Sequence, residues 1–174
     1  MYRIQNENNW FAVFVITGKE DKVKQALELR FDNNLRFLVP KRRLRERKCG
    51  VWTETIKVLF PGYVLINGVV TAETYYDLKQ VPSLIKLLRS GNDILDVDLY
   101  EMEILSRLIC NGEIIGYSEI LYEDDKVKVL DGPLASLEGC IISINKRKGR
   151  AKIQISFMGE LRTMDLGISV LGKV

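Results

Sequence analysis

The run from Lys126 to Phe157, KVKVLDGPLASLEGCIISINKRKGRAKIQISF, constrains the chain more than any other stretch. Val127 and Val129 alternate with Lys126 and Lys128, the two-residue period of a half-buried strand. Asp131-Gly132-Pro133 ends that strand with turn chemistry. Two β-rich runs follow, Cys140–Ile144 and Ala151–Phe157, and the residues between them, Asn145–Arg150, read as a hairpin loop. Gly149 can supply a positive φ there. The loop carries Lys146, Arg147, Lys148 and Arg150 and no acid. With a further strand at Leu161–Leu166, short strands joined by tight turns predict a small barrel rather than an open sheet.

The chain has 174 residues, enough for one or two small domains, and 47% hydrophobic with 28% charged residues is a globular composition. A net charge of +3 is mild, so any affinity for nucleic acid must come from local clusters. There is no signal-peptide pattern and no apolar run long enough to span a bilayer, so no membrane association and a cytoplasmic location are expected. Cys49, Cys110 and Cys140 are widely spaced and histidine is absent, which argues against a metal site or any cofactor and removes the commonest general base. No nucleophile elbow, P-loop or paired-carboxylate motif occurs either, so no enzymatic activity is expected.

Upstream, Trp10–Ile16 is apolar throughout and predicts a strand buried on both faces. Thr17 and Glu20 fit a capping box opening a helix to about Arg30. Arg36–Val39 reads as a short strand. Pro40 then introduces the most basic stretch, Lys41–Lys48, and Val51–Phe60 reads as another strand. Phe37–Phe60 is therefore expected to be a β-hairpin with the basic stretch as its tip. Phe60-Pro61-Gly62-Tyr63 precedes a buried strand, Val64–Ile66; Ala72–Gln80 is a helix, and Leu84–Leu88 a strand before the turn at Ser90-Gly91-Asn92. Asp98 caps a last helix, with Glu101 in box position and Leu99, Met102, Leu105, Leu108 and Ile109 as its apolar face, ended by Asn111-Gly112. The expected organisation is α+β: residues 1–112 as an antiparallel sheet flanked by helices, 113–122 as a linker, and 123–174 as a small barrel.

Two sets of motifs resemble the NusG family of transcription factors. Asp131-Gly132-Pro133, with Gly139 following and a strand on either side, resembles the KOW motif; Arg150, Phe157-Met158-Gly159 and Thr163–Leu166 continue the pattern to the C-terminus. In the other half, Trp10-Phe11, Gly18-x-Glu20, Phe60-Pro61-Gly62-Tyr63-Val64 and Val81-Pro82 resemble the family's amino-terminal (NGN) domain, in order. The resemblance implies an NGN domain followed by an SH3-like KOW barrel. It implies that the NGN domain docks on the clamp helices of the largest RNA polymerase subunit and favours pause-resistant elongation. Trp10, Phe11, Phe60, Pro61, Gly62, Tyr63, Val81 and Pro82 are the residues so implicated, with Thr71 and Thr74 reaching the opposite wall of the cleft.

The cations distinguish this chain from general members. Lys126, Lys128, Lys146, Arg147, Lys148, Arg150 and Lys152 crowd the KOW region, and Lys41, Arg42, Arg43, Arg45, Arg47 and Lys48 form a second cluster. Either run could be a solvated surface. Read functionally, they suit phosphate contact with a structured nascent RNA, such as a hairpin; aromatics are not interleaved with them, so single-strand stacking is disfavoured. The closest resemblance within the family is to specialised antiterminators of the LoaP type. Met158 and Glu160 flank Gly159 where relatives often have Gly-Arg, which argues against strong binding of the termination factor Rho. A ribosomal protein stays open as a KOW partner, a monomer is expected, and the alternative reading is a general or ribosome-associated KOW protein recruiting a protein without specific RNA binding.

Overall fold

The computed structural model describes residues 9–31, 34–109, 112–123 and 126–171. The protein is α+β and folds as two compact units, Met1–Val39 with Phe60–Val97, and Pro40–Leu59 with Asp98–Val174. The Lys41–Lys48 hairpin and the last helix therefore belong to the same unit as the C-terminal strands, a different grouping from the sequence expectation of 1–112, 113–122 and 123–174.

The first unit is built on β1 (Trp10–Val15), α1 (Glu20–Arg30) and β2 (Arg36–Leu38). After the excursion of β3 (Lys41–Lys48) and β4 (Val51–Val58) into the other unit, it resumes with β5 (Tyr63–Asn67), α2 (Ala72–Lys79), β6 (Leu84–Leu87), β7 (Arg89–Ser90) and β8 (Asp93–Ile94). Its main sheet runs β2-β5-β1-β6, and each adjacent pair is antiparallel. β1 is interior to that sheet, which is why it is apolar throughout: Phe11, Ala12 and Val13 are all 0% exposed. Thr71 caps α2, its hydroxyl accepting from the Thr74 amide at 3.1 Å.

The capping box expected at Thr17 does not form. α1 starts at Glu20, with Lys19 in the cap position and no side-chain cap bond. Glu20 is 3% exposed, and its carboxylate accepts from the Gly62 amide at 2.8 Å. The Pro61-Gly62 turn, with Gly62 at φ +86°, presents this donor, and the long-range partner displaces the local one.

The second unit opens with the β3–β4 hairpin. Lys41–Lys48 was expected as a loop at a hairpin tip; it is instead a fully paired strand, in register from Lys41↔Val58 to Lys48↔Val51. The tip is Cys49-Gly50, both at positive φ, a two-residue turn that lets pairing run to its end. The β-prone partner strand and the burial of Leu44 stabilise an otherwise charged strand. α3 (Leu99–Leu108) is capped as expected by Asp98, which accepts from Tyr100 N at 2.8 Å and Glu101 N at 3.4 Å. Met102, Leu105 and Leu108 are buried, whereas Leu99, expected on the same face, is 79% exposed. Asn111 lies outside the described residues.

The stretch expected as linker carries β9 (Ile114–Ile115), parallel to β3, and β10 (Ser118–Glu123). With β11 (Lys126–Asp131), β12 (Ile141–Asn145), β13 (Arg150–Phe157) and β14 (Glu160–Leu171), β10 forms a half-barrel of order β11-β10-β14-β13-β12. Gly132 is demanded by space: at φ +100°, a Cβ there would lie 2.7 Å from both Ser118 Cα and Tyr117 O. Pro133 beside it is buried and Asp131 exposed, while Gly139 sits in a short 3-10 turn, Glu138–Cys140, with open space around it. The hairpin loop between β12 and β13 closes as expected, with Gly149 at φ +60°.

Candidate nucleic-acid interface

The two basic segments lie in one unit, held there by specific bonds. Arg42 Nη1 donates to the Asp165 carbonyl at 2.7 Å. Burial lowers the Arg42 guanidinium from its ordinary range, while Asp165 raises it. Arg150 reaches Asp165 at 3.4 Å, Glu46 at 3.6 Å and the Arg45 carbonyl at 3.3 Å. The Glu46 carboxyl is held below its usual range, chiefly by a hydrogen bond from Lys57, despite some opposing burial. Gly167 of β14 lies so close to β3 that a Cβ there would stand 2.6 Å from the Arg43 carbonyl.

This packing sorts the predicted cations. Arg43 pairs with Glu54 at 3.3 Å, Arg45 stacks over the Tyr117 ring at 5.2 Å, and Arg47 Nε donates to the Gly50 carbonyl at 3.2 Å. Lys41, Arg42, Arg43 and Arg150 are half-buried. Lys48, Lys126, Lys128, Lys146, Arg147, Lys148 and Lys152 are exposed. A cleft of about 720 Å³ separates the β3–β4 hairpin from the β12–β13 loop. Arg45, Trp52 and Glu54 line one wall, Lys146, Arg147 and Lys148 the other, and Ile168–Val170 the floor. Segments a hundred residues apart in sequence thus present cations to one opening. Lys126 and Lys128 do not line it.

Trp52 was absent from the sequence-predicted site. It is 47% exposed and stands directly opposite Arg47 across the hairpin. The signal was present in the alternation of Val51–Ile56, but only the register shows that Trp52, Glu54 and Ile56 share a face with Arg47, Arg45 and Arg43.

The residues implicated in polymerase docking lie in the first unit, except that Val81 and the two large aromatics Phe11 and Phe60 are core, at 5%, 0% and 2% exposure. Trp10 and Tyr63 are half-buried, Gly62 is buried, and Pro61 and Pro82 are exposed. Thr71 is exposed and Thr74 half-buried. Tyr63 meets Phe14 edge-on, with ring centroids 5.4 Å apart, and the register puts both on one sheet face with Trp10. Exposed Ile16 and Ile85 extend the apolar surface of this unit.

An antiparallel sheet flanked by helices, followed by a half-barrel carrying the Gly132-Pro133 turn, defines a two-part factor of the NGN–KOW class. The chain belongs to the NusG family: the family model described as transcription termination factor nusG matches residues 8–106. The transcription termination/antitermination protein NusG of Bacillus subtilis (strain 168) is 30% identical, over 97% of this chain and 99% of that protein. Its counterpart from Streptococcus pyogenes serotype M1 is also 30% identical, over 88% and 89%. The fold is similar to that of Thermotoga maritima NusG, solved in a study of its domain interaction, with a TM-score of 0.61 and 24% identity over 92% of this chain and 93% of that one. No described helix is long and apolar enough to cross a membrane.

Proposed function

We propose that this NusG-family protein is an RNA-recruited antitermination factor. Its first unit docks on the clamp helices of RNA polymerase and suppresses pausing and termination, and its second grips a structured nascent RNA. The observation that carries the RNA reading is the cleft in which Arg45 faces Lys146, Arg147 and Lys148. Cations on both sides of an opening suit the phosphates of a folded RNA, whose two backbones run along its groove edges. For the polymerase, Tyr63 and Phe14 provide the accessible aromatic surface, and Phe11 and Phe60 support it from the core. This reading is nearest to the LoaP type of paralogue. Phe157 is 2% exposed with Arg162 over its ring at 5.6 Å, so it is poorly placed to anchor Rho at the β13–β14 turn.

The test is binding of the full chain to leader transcripts from the operon beside its gene, at two salt concentrations. Lys146, Arg147 and Lys148 together changed to Ala should lower affinity for the recognised hairpin and flatten the salt dependence by about three units of slope. In transcription through a terminator downstream of that hairpin, the same variant should lose read-through. Equal, weak binding to every RNA would leave the loop a generic cationic surface and favour a protein partner instead.

A further inference from the structure

We infer that Trp52 is a stacking platform for one unpaired nucleobase next to the RNA stem, so that the ligand is a stem interrupted or flanked by a single extruded nucleotide. The inference rests on the RNA reading above and adds the class of RNA that the cleft selects.

Three observations lead there. Trp52 is 47% exposed on β4, an edge strand of its three-stranded sheet, where the fold does not use it as core. It lines the main cleft and also an adjoining pocket with Arg45, Arg47 and Lys148, so its surroundings are cationic on several sides. Among the described residues, its ring also carries no stacked cation or aromatic partner. Other aromatics near arginines in this protein do carry one: Arg45 lies over Tyr117 at 5.2 Å, Arg89 over Tyr75 at 5.2 Å and Arg162 over Phe157 at 5.6 Å.

What an indole offers a nucleic acid that the surrounding cations do not is a π face on which a base can stack. Every base has a π face, and a base in a continuous stem has both faces covered by its neighbours. Only an extruded or terminal base can reach the ring while the stem's phosphates stay on the cations. Cations therefore supply affinity for any stem, and Trp52 supplies discrimination between stems.

The experiment uses the full chain and two short stem-loop RNAs, identical except that one carries a single bulged fluorescent purine analogue in its stem. The wild type should bind the bulged RNA about tenfold or more tightly than the plain one, with quenching of the analogue. Trp52→Ala should lose that preference and the quenching, so that the two RNAs bind alike; Trp52→Phe should keep most of both. The preference should hardly change with salt, although both affinities fall as salt rises. Equal binding of both RNAs by the wild type, or a preference that survives Trp52→Ala, would overturn the inference. So would a Trp52→Ala variant that weakens both RNAs alike, or one whose only effect is to abolish self-association of the chain through the β4 edge. The parent reading fails separately: in that case the Lys146/Arg147/Lys148→Ala protein binds the plain stem-loop as well as the wild type does, or neither RNA binds at all.

Discussion

The two units are stabilised by different chemistry. In the first, β1 and β5 contribute an unbroken apolar interior, with Phe11, Val13, Val64 and Ile66 at 0% exposure, and among the described residues the one buried charge is Glu20. In the second, Glu101, Arg42, Arg150 and Asp165 join the elements by polar bonds as well as apolar contact. The difference matters for reading function. In an apolar unit, a polar or half-exposed side chain stands out at once. In a unit cemented by charge, a basic run mixes cations that hold the fold with cations that face a ligand, and they must be separated residue by residue.

The largest effect expected is on the apolar side. Phe11→Ala deletes a fully buried ring from an interior strand and should cost about 3–5 kcal/mol. Hydrogen exchange of the β1 and β5 amides would read it, and the loss should be insensitive to salt. A cost near zero would mean that Phe11 is not core and would return it to the surface implicated in docking.

Glu101→Ala is the counterpart in the second unit. Its carboxylate accepts from Ser156 Oγ at 2.5 Å, Met158 N at 2.8 Å and Gly159 N at 3.0 Å, and it is 6% exposed. Removing it leaves three donors without that acceptor and should cost about 2–3 kcal/mol. Exchange of the Met158 and Gly159 amides should rise first. Glu101→Gln, which keeps the size and one acceptor oxygen, should cost less; equal losses would show that α3 is secured by the full carboxylate, with both oxygens accepting, rather than by side-chain size.

These two glutamates also show what the sequence could and could not disclose. Strands β11 to β14 of the half-barrel were legible because alternation and the Gly132-Pro133 turn are local signals, but β10 was not, and the space that demands Gly132 is set by Tyr117 and Ser118 at the start of that strand, in the stretch expected as linker. Glu20 and Glu101 both stand in the first turn of a helix and both fit a capping box. Asp98 does cap its helix, yet each glutamate finds a donor 42 or more residues away. Local spacing cannot rank a nearby amide against a distant one that burial makes stronger. Trp52 was missed for a related reason. Along the chain it follows the basic run, and only the two-residue turn at Cys49-Gly50 folds it back opposite Arg47.

Smaller losses should follow at the single charged latches. Glu20→Ala removes the acceptor for Gly62 N and should cost about 1–2 kcal/mol, seen as faster exchange of that amide. Arg150→Ala should cost a similar amount, about 1–2 kcal/mol, because a side chain only 19% exposed gives up Asp165, Glu46 and the Arg45 carbonyl together. Unlike Phe11→Ala, it should lose part of its effect at high salt, where the ion pairs are screened.

Arg147→Ala should change stability least and is the sharpest probe of the contrast. Arg147 lies three positions before Arg150 in the same hairpin, exposed where Arg150 is half-buried. Its removal should leave thermal unfolding within about 0.5 kcal/mol of the wild type. It should still flatten the salt dependence of stem-loop binding by about one unit of slope, as expected for the loss of one phosphate contact. Arg150→Ala measured beside it should show the reverse pattern, a larger loss of stability with little change in slope beyond what unfolding explains. If both variants altered the slope alike and stability alike, the division between structural and ligand-facing cations would fail. The hairpin would then have to be treated as one undifferentiated charged surface.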